Sequence, residues 1–270
     1  MGAARRYVRL FLALARYSLL REMAFRGNFI VKMFVEMLWL VILLAFYRTI
    51  FSKTRLIGGW SEAEYLFFLG CFYTIEGLIE ALFLENCSSF ADLVRSGDLD
   101  FYLLKPMDEQ FLVTCRTIEW STIPNLLLGV AVMVTALIQQ GTPLHVGTVA
   151  LFVLLMGCSV AIAYSCLLAL TSTAVWFTRN QSLFELWWLF SSLIRYPREI
   201  YPVTGWASPI GWVFWYVIPI LLVVNVPAKL MVKVLEPWTA VFMIVVAGVL
   251  LGASRWFFRF SLQKYRSASS

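Results

Sequence analysis

Among the carboxylates that interrupt the long apolar runs of this chain, three could do chemistry together. Glu76 and Glu80 lie four residues apart and therefore share a helical face, and Glu119 falls in the next apolar run. An ionisable group in hydrocarbon is costly and turns toward a protein interior or an aqueous cavity. These three are accordingly candidates for a cavity or a subunit interface. The plain alternative is that they sit near a membrane surface or are neutralised in helix packing. An intramembrane lipid-modifying or proteolytic enzyme built on Glu76, Glu80 or Glu119 would need a second half that is missing. His145 is the only histidine, and no nucleophile–histidine or metal constellation accompanies it. Cys71, Cys87, Cys115, Cys158 and Cys166 form no CxxC pair, so neither a disulfide framework nor a zinc site is expected and the cysteines read as small apolar fillers. No GxxxxGK[ST] loop occurs, so the chain has no Walker-type cradle for nucleotide phosphates.

The elements that must carry these residues are apolar. Hydrophobic residues make up 61% of the 270 and charged residues 14%, with a mean hydropathy of +0.79. Ordinary globular chains run near 45–50% and about 25% respectively. At roughly 20 residues per crossing, the length suits about six helices and leaves no room for a further folded domain. The expectation is an all-α polytopic membrane protein, one transmembrane domain over 1–270 with six transmembrane helices.

The crossings read at 29–51 with Glu36, at 62–84, at 112–138 with a kink at Pro124, at 149–175, at 181–200 and at 237–258. Ser159, Ala163 and Ser165 suit the fourth to close helix approach, and Gly248 with Gly252 forms a small-residue pair in the last. Residues 203–234, punctuated by Pro209, Pro219 and Pro227, read as broken or re-entrant helices near the outer surface. Residues 1–27 are basic and amphipathic and read as an N-terminal interfacial helix in the cytoplasmic headgroup layer.

The formal charge of +6 arises from 22 Lys and Arg against 16 Asp and Glu, but the basic residues crowd the chain ends. Residues 1–32 carry seven and the last sixteen residues four, a distribution that reads as topology and contact with membrane lipids and excludes nucleic acid as the expected partner. The six-crossing arrangement puts 15 basic residues, Arg179 among them, on the inner side and 7 on the outer, with both termini cytoplasmic. If 183–202 lies along the inner face and 206–226 crosses instead, the division becomes 17 against 5. Trp187, Trp188, Trp206, Trp212, Trp215, Tyr216 and Trp238 read as interfacial anchors.

Between 86 and 110 the composition turns polar and charged. Asp92, Leu93 and Val94 read as a short amphipathic helix, Gly97 as its stop and Pro106 as the break before the next element. The string RSGDLDFYLLKP at 95–106 resembles the loop after the second membrane helix in ABC-2 type transporter permeases, specifically the compact bacterial six-span proteins that work with a separate ATPase. The stretch around Tyr196, Pro197, Tyr201 and Pro202, the triplet Asn225-Val226-Pro227, and the tail Gln263-Lys264-Tyr265-Arg266-Ser267 are similar as well, so the resemblance runs over essentially the whole chain.

That resemblance implies a type V exporter-like arrangement in the bacterial cytoplasmic membrane. Two permease subunits, identical or similar, would sit over a cytoplasmic ABC ATPase dimer. ATP and Mg would bind in the partner, with no cofactor in this chain. Residues 88–108 would be the ATPase-coupling segment. In it Phe90, Leu93, Val94, Leu99, Phe101, Leu103 and Leu104 would form the packing surface, Arg95, Asp98, Asp100 and Lys105 would set register by charge pairing, and Pro106 would close the segment. The implied activity is export of a lipid, amphipathic or peptide-like substrate. A membrane scaffold or sensor without a transport pathway is the alternative.

Overall fold

The computed structural model describes residues 3–141, 143, 145–177, 181–201 and 208–265, and the regular elements among them are all helices. Arg179, Pro202, residues 203–207 with Trp206, and Arg266 and Ser267 of the tail lie outside the described residues.

Helix α1 (Ala3–Ala24) carries its arginines and leucines without a glycine or proline and ends at Phe25, where the backbone leaves the helical region before α2 (Arg26–Phe51) begins. Helix α3 (Glu62–Ile79) starts at Ser61, whose N–H donates to the Glu64 carboxylate at 2.8 Å, the reciprocal half of a capping box. It runs on through a π turn (Glu80–Leu84) and α4 (Glu85–Ser88) into α5 (Phe90–Ser96). Two short helices follow, α6 (Leu99–Leu103) and α7 (Glu109–Thr114).

The crossing expected at 112–138 is divided. Helix α7 ends at Thr114, an irregular link carries Glu119, and Pro124 lies in the first turn of α8 (Ile123–Gln140). Proline is tolerated there because first-turn amides have no intrahelical acceptor, so Pro124 starts a helix and does not kink one. Helices α9 (Val146–Ser172), α10 (Gln181–Ile194), α11 (Ser208–Trp212, running into a π turn, Val213–Val217), α12 (Leu222–Val232) and α13 (Pro237–Lys264) complete the fold.

Among the described residues, five stretches are long and apolar enough to cross a bilayer: Arg26–Phe51, Glu62–Ser96, Trp120–Gln140, Val146–Val175 and Pro237–Lys264. Helix α10 has 14 residues, about 21 Å at 1.5 Å per residue against roughly 30 Å of hydrocarbon. The crossing expected at 181–200 is therefore no single spanning helix. It stops before Pro197, which lacks an N–H and biases Tyr196 away from helix.

Helix α3 is the centre, packed on α8, α9 and α12. Its Tyr65, Phe67, Phe68, Leu69 and Phe72 are fully or nearly fully buried. It meets α8 at backbone distance: a Cβ at Gly70 would fall 2.5 Å from Met133 Cγ and 2.8 Å from the Gly129 carbonyl oxygen. Small residues let the helices close, as is usual where lipid offers no hydrophobic drive to association. The pair Gly248 and Gly252 does no such work within the chain, since a Cβ at either meets nothing within 4 Å.

Polar contacts orient the rest. Residues 52–61, Glu199 and the end of α12 share one end of the bundle: Trp60 Nε1 donates to Glu199 at 3.0 Å, Lys229 pairs with Glu199, and Lys233 donates to the Gly59 carbonyl at 2.6 Å. Ser159, near the middle of α9, reaches Val223 at the start of α12, whereas Gln140 at the end of α8 reaches Val232 at its other end. Helix α12 thus climbs from mid-depth to that end, buried along almost its whole length.

Candidate functional site

The segment 85–117 leaves the opposite end of the bundle and is tied down at both sides. Asn86 clamps its two arms together: its carboxamide nitrogen donates to the Leu82 and Thr117 carbonyls at 2.9 and 2.6 Å, and its oxygen accepts from the Thr117 N–H and hydroxyl at 2.9 and 2.8 Å. Buried amides are held in place by such saturation. Gly97 takes φ +80°, the left-handed conformation that glycine adopts without penalty, and ends α5 so that α6 folds back. Arg116 donates to Ser89 Oγ at 2.5 Å and to the Tyr102 hydroxyl at 3.4 Å, bridging the first arm to α6.

Asp108 joins this segment to the last helix. It caps α7 by accepting from the Phe111 N–H at 3.2 Å, and its other oxygen accepts from Arg255 at 2.5 Å, with Arg259 at 3.7 Å. Burial pushes the Asp108 carboxyl up, but the Arg255 and Phe111 hydrogen bonds and the charges of Arg255 and Arg259 outweigh it and hold the group below its ordinary value. The same residue's N–H donates to the Tyr7 hydroxyl at 3.1 Å, so α1, the segment and α13 meet at one point.

Of the residues expected to pack on a partner, Phe90, Leu93, Val94 and Leu99 are buried within the chain, in a cluster with Val113, Leu168, Ala174 and Phe258. They form the inward face of α5 and α6 and mount the segment on the bundle. Leu103 packs against the same cluster. The outward face is made by Phe101 and Leu104, 67% and 82% exposed, with the Asp92–Arg95 pair at 2.5 Å. Asp98 accepts from Ser96 at 2.8 Å beside Gly97, Lys105 lies 4.5 Å over the Tyr102 ring, Asp100 is half-buried and Pro106 is exposed.

The three apolar-run carboxylates separate. Glu76 accepts from the Ser191 hydroxyl on α10 and lines a small cavity of about 20 Å³ with Phe72, Trp187 and Val223. Glu80 opens the π turn of the α3 extension, within electrostatic reach of Glu76, Glu36, Glu119 and Lys32. Glu119 is not in a helix; it accepts from Lys32 at 2.8 Å at the corner of α1 and α2, where Glu22 accepts from the Trp120 and Ser121 N–H groups at 2.9 and 3.0 Å. Sequence reading missed Asn86, Asp108 and Glu22, because nothing in an isolated polar side chain announces a partner 31, 98 or 147 positions away. His145 precedes α9 in the link after α8, and no group of three or more His, Cys, Asp or Glu capable of holding a metal occurs among the described residues.

The sequence profile of the ABC-2 family transporter proteins matches residues 37–269. No curated protein and no solved structure gives a significant match. The matched region holds the five stretches long and apolar enough to span, except the start of α2, together with the segment 85–117, and the chain belongs to the ABC-2 family of transporter proteins as a multi-pass membrane permease component.

Proposed function

We propose that this chain is the permease subunit of an ABC exporter that moves a lipid, amphipathic or peptide-like substrate, driven by ATP hydrolysis in a separate ATPase dimer. Nucleotide and Mg chemistry lies in that partner, since this chain has no phosphate-binding loop. Two permease subunits, identical or similar, line the pathway in a bacterial cytoplasmic membrane, with α1 in the headgroup layer and both termini on the ATPase side. Helix α10 with the following turn makes the sixth crossing, and the α11–α12 hairpin re-enters from the outside, in keeping with the climb of α12 from Ser159 to Gln140.

The observation that carries the reading is the mount of the coupling segment. Phe101 and Leu104 project from a fold-back whose other face is packed into the bundle and whose end is latched by Asp108 to α13. A push on that surface is delivered to α3 through the continuous helix and to α13 through the latch. Coupling needs such a two-sided rigid element.

The test is co-purification with an ABC ATPase co-expressed with this chain, followed by substrate-stimulated hydrolysis in vesicles. Leu104→Asp is expected to abolish both while the chain stays folded. Unchanged association and hydrolysis overturn the coupling role, and ATPase binding without transport of any probe favours the scaffold or sensor alternative.

A further inference from the structure

An open groove of about 460 Å³ lies between α1 and the segment 102–116. Leu10, Leu14 and Leu112 line its apolar part, and Arg6, Lys105 and Arg116 bring three cations to it. Arg6, Leu10 and Leu14 are spaced by four and form one stripe of α1, with the cation at one end and the leucines farther along.

None of the three cations has a carboxylate partner among the described residues. Arg6 gives one donor to the Pro106 carbonyl at 3.2 Å, Arg116 donates to the Ser89 and Tyr102 hydroxyls, and Lys105 rests on the Tyr102 ring. A guanidinium has five N–H donors, so both arginines keep unused ones. Other cations of this region do find acids: Arg255 and Arg259 share Asp108, Arg95 has Asp92 and Lys32 has Glu119. At the groove, positive charge gathers beside an apolar wall with no carboxylate paired to it among the described residues. On the other side of α1, Val8 and Leu12 are 58% and 61% exposed and also need an apolar neighbour.

We infer that the groove holds an anionic phospholipid, its phosphate between Arg6, Lys105 and Arg116 and the start of an acyl chain along Leu10 and Leu14. Charge complementarity selects the headgroup, and the bilayer supplies it at high local concentration to a helix lying in the interface. A bound lipid joins α1 to the Tyr102–Pro106 turn and stiffens the mount of Leu104. The inference rests on the interfacial placement of α1 proposed above and does not depend on the ATPase reading.

The experiment uses the purified full-length chain in detergent, titrated with dioleoyl phosphatidylglycerol, dioleoyl phosphatidylcholine or inorganic phosphate, with bound lipid counted by native mass spectrometry. One phosphatidylglycerol is expected to be retained, and Arg6→Gln with Lys105→Gln to weaken it roughly thirtyfold, from about a fivefold loss per cation near a membrane surface. Removing the exposed Arg5 and Arg16 instead, with the same change in net charge, is expected to leave binding within about twofold. Met107→Glu, which places a carboxylate in the groove, is expected to reproduce the loss with helical circular dichroism intact, so misfolding of the double variant leaves the inference testable. Equal retention of phosphatidylcholine, competition by inorganic phosphate alone, or no effect of either groove variant overturns it. So does an outcome in which Arg6 and Lys105 matter only for ATPase association, which would assign the groove to an acidic protein surface. A failure of ATPase coupling with lipid binding preserved would overturn the exporter reading and leave this one standing.

Discussion

The hydroxyl of Ser159 on α9 donates to the Val223 carbonyl on α12 at 2.6 Å, and Val223 lies four residues before Pro227. That carbonyl is the one a helical proline leaves without its N–H partner. Both residues are fully buried, and the side chain of the neighbouring helix restores the missing bond. A helix that would be broken in isolation is thereby kept helical at the centre of the protein. Ser159→Ala is expected to destabilise the chain by about 1 kcal/mol, toward the low end for a buried acceptor left unmade. In a Pro227→Ala background, where residue 227 again has an N–H, the same substitution is expected to cost less than half as much. Unfolding midpoints of the four proteins in one detergent check the cycle; equal costs in both backgrounds refute the link.

Glycines at different sites will respond oppositely. A Cβ at Gly129 would lie 2.7 Å from the Thr74 amide nitrogen, an immovable backbone neighbour. Gly129→Ala is expected to push α3 from α8 and destabilise by about 1–3 kcal/mol. Gly248→Ala and Gly252→Ala meet open space, so the effect on the stability of the single chain is expected to stay within about 0.5 kcal/mol, or to favour the folded state through helix propensity. Thermal unfolding of the three variants decides it.

The Asp108 latch sets a pH dependence whose sign is fixed. Its carboxyl is held below the ordinary value in the folded chain, so the latch contributes stability that is fully present above the unfolded carboxylate value of about 3.9 and is lost as pH falls through the lower folded value. Between neutrality and about pH 5 the difference in stability between wild type and Asp108→Asn is expected to be constant, about 1 kcal/mol for a partly exposed charged hydrogen bond. Below about pH 4 the two curves should converge. A difference that grows on acidification contradicts the latch.

Leu99 and Leu104, five residues apart, separate folding from coupling. Leu99 is fully buried and Leu104 is 82% exposed. Leu99→Asp is expected to destabilise by more than about 3 kcal/mol, because it buries an unpaired charge. Leu104→Asp is expected to leave the unfolding midpoint within about 0.5 kcal/mol of wild type while ATPase association is lost. Denaturation and pull-down on the same preparations read both quantities.

Much of this architecture is written locally. The apolar run 26–51 needs only its own hydropathy to be a spanning helix, Gly97 needs only its missing Cβ to end α5, and the string at 95–106 is enough to suggest the family. Where local reading failed, a distant partner decided. Pro124 looked like a kink because the surrounding run is apolar, but the irregular link 115–119, tied by the Asn86–Thr117 clamp, interrupts the helix, and a 3-10 turn at Trp120–Thr122 leads into a new one, so Pro124 falls in a first turn. Leu93 and Leu104 are both leucines of one charged loop, and only the packing of Phe258, Val113 and Leu168 against the first distinguishes them.

The sequence by itself determined that this chain is a helical membrane protein with a polar interruption after its second crossing, because hydropathy and helix length are properties of contiguous residues. Tertiary structure alone decided which face of that interruption is free and which end of the last helix holds it. It also decided which carbonyl Ser159 repairs, which glycines bring helices together and where three cations meet without an acid. Those properties depend on side chains far apart in sequence being brought within hydrogen-bonding or van der Waals distance, and no spacing along the chain encodes that distance.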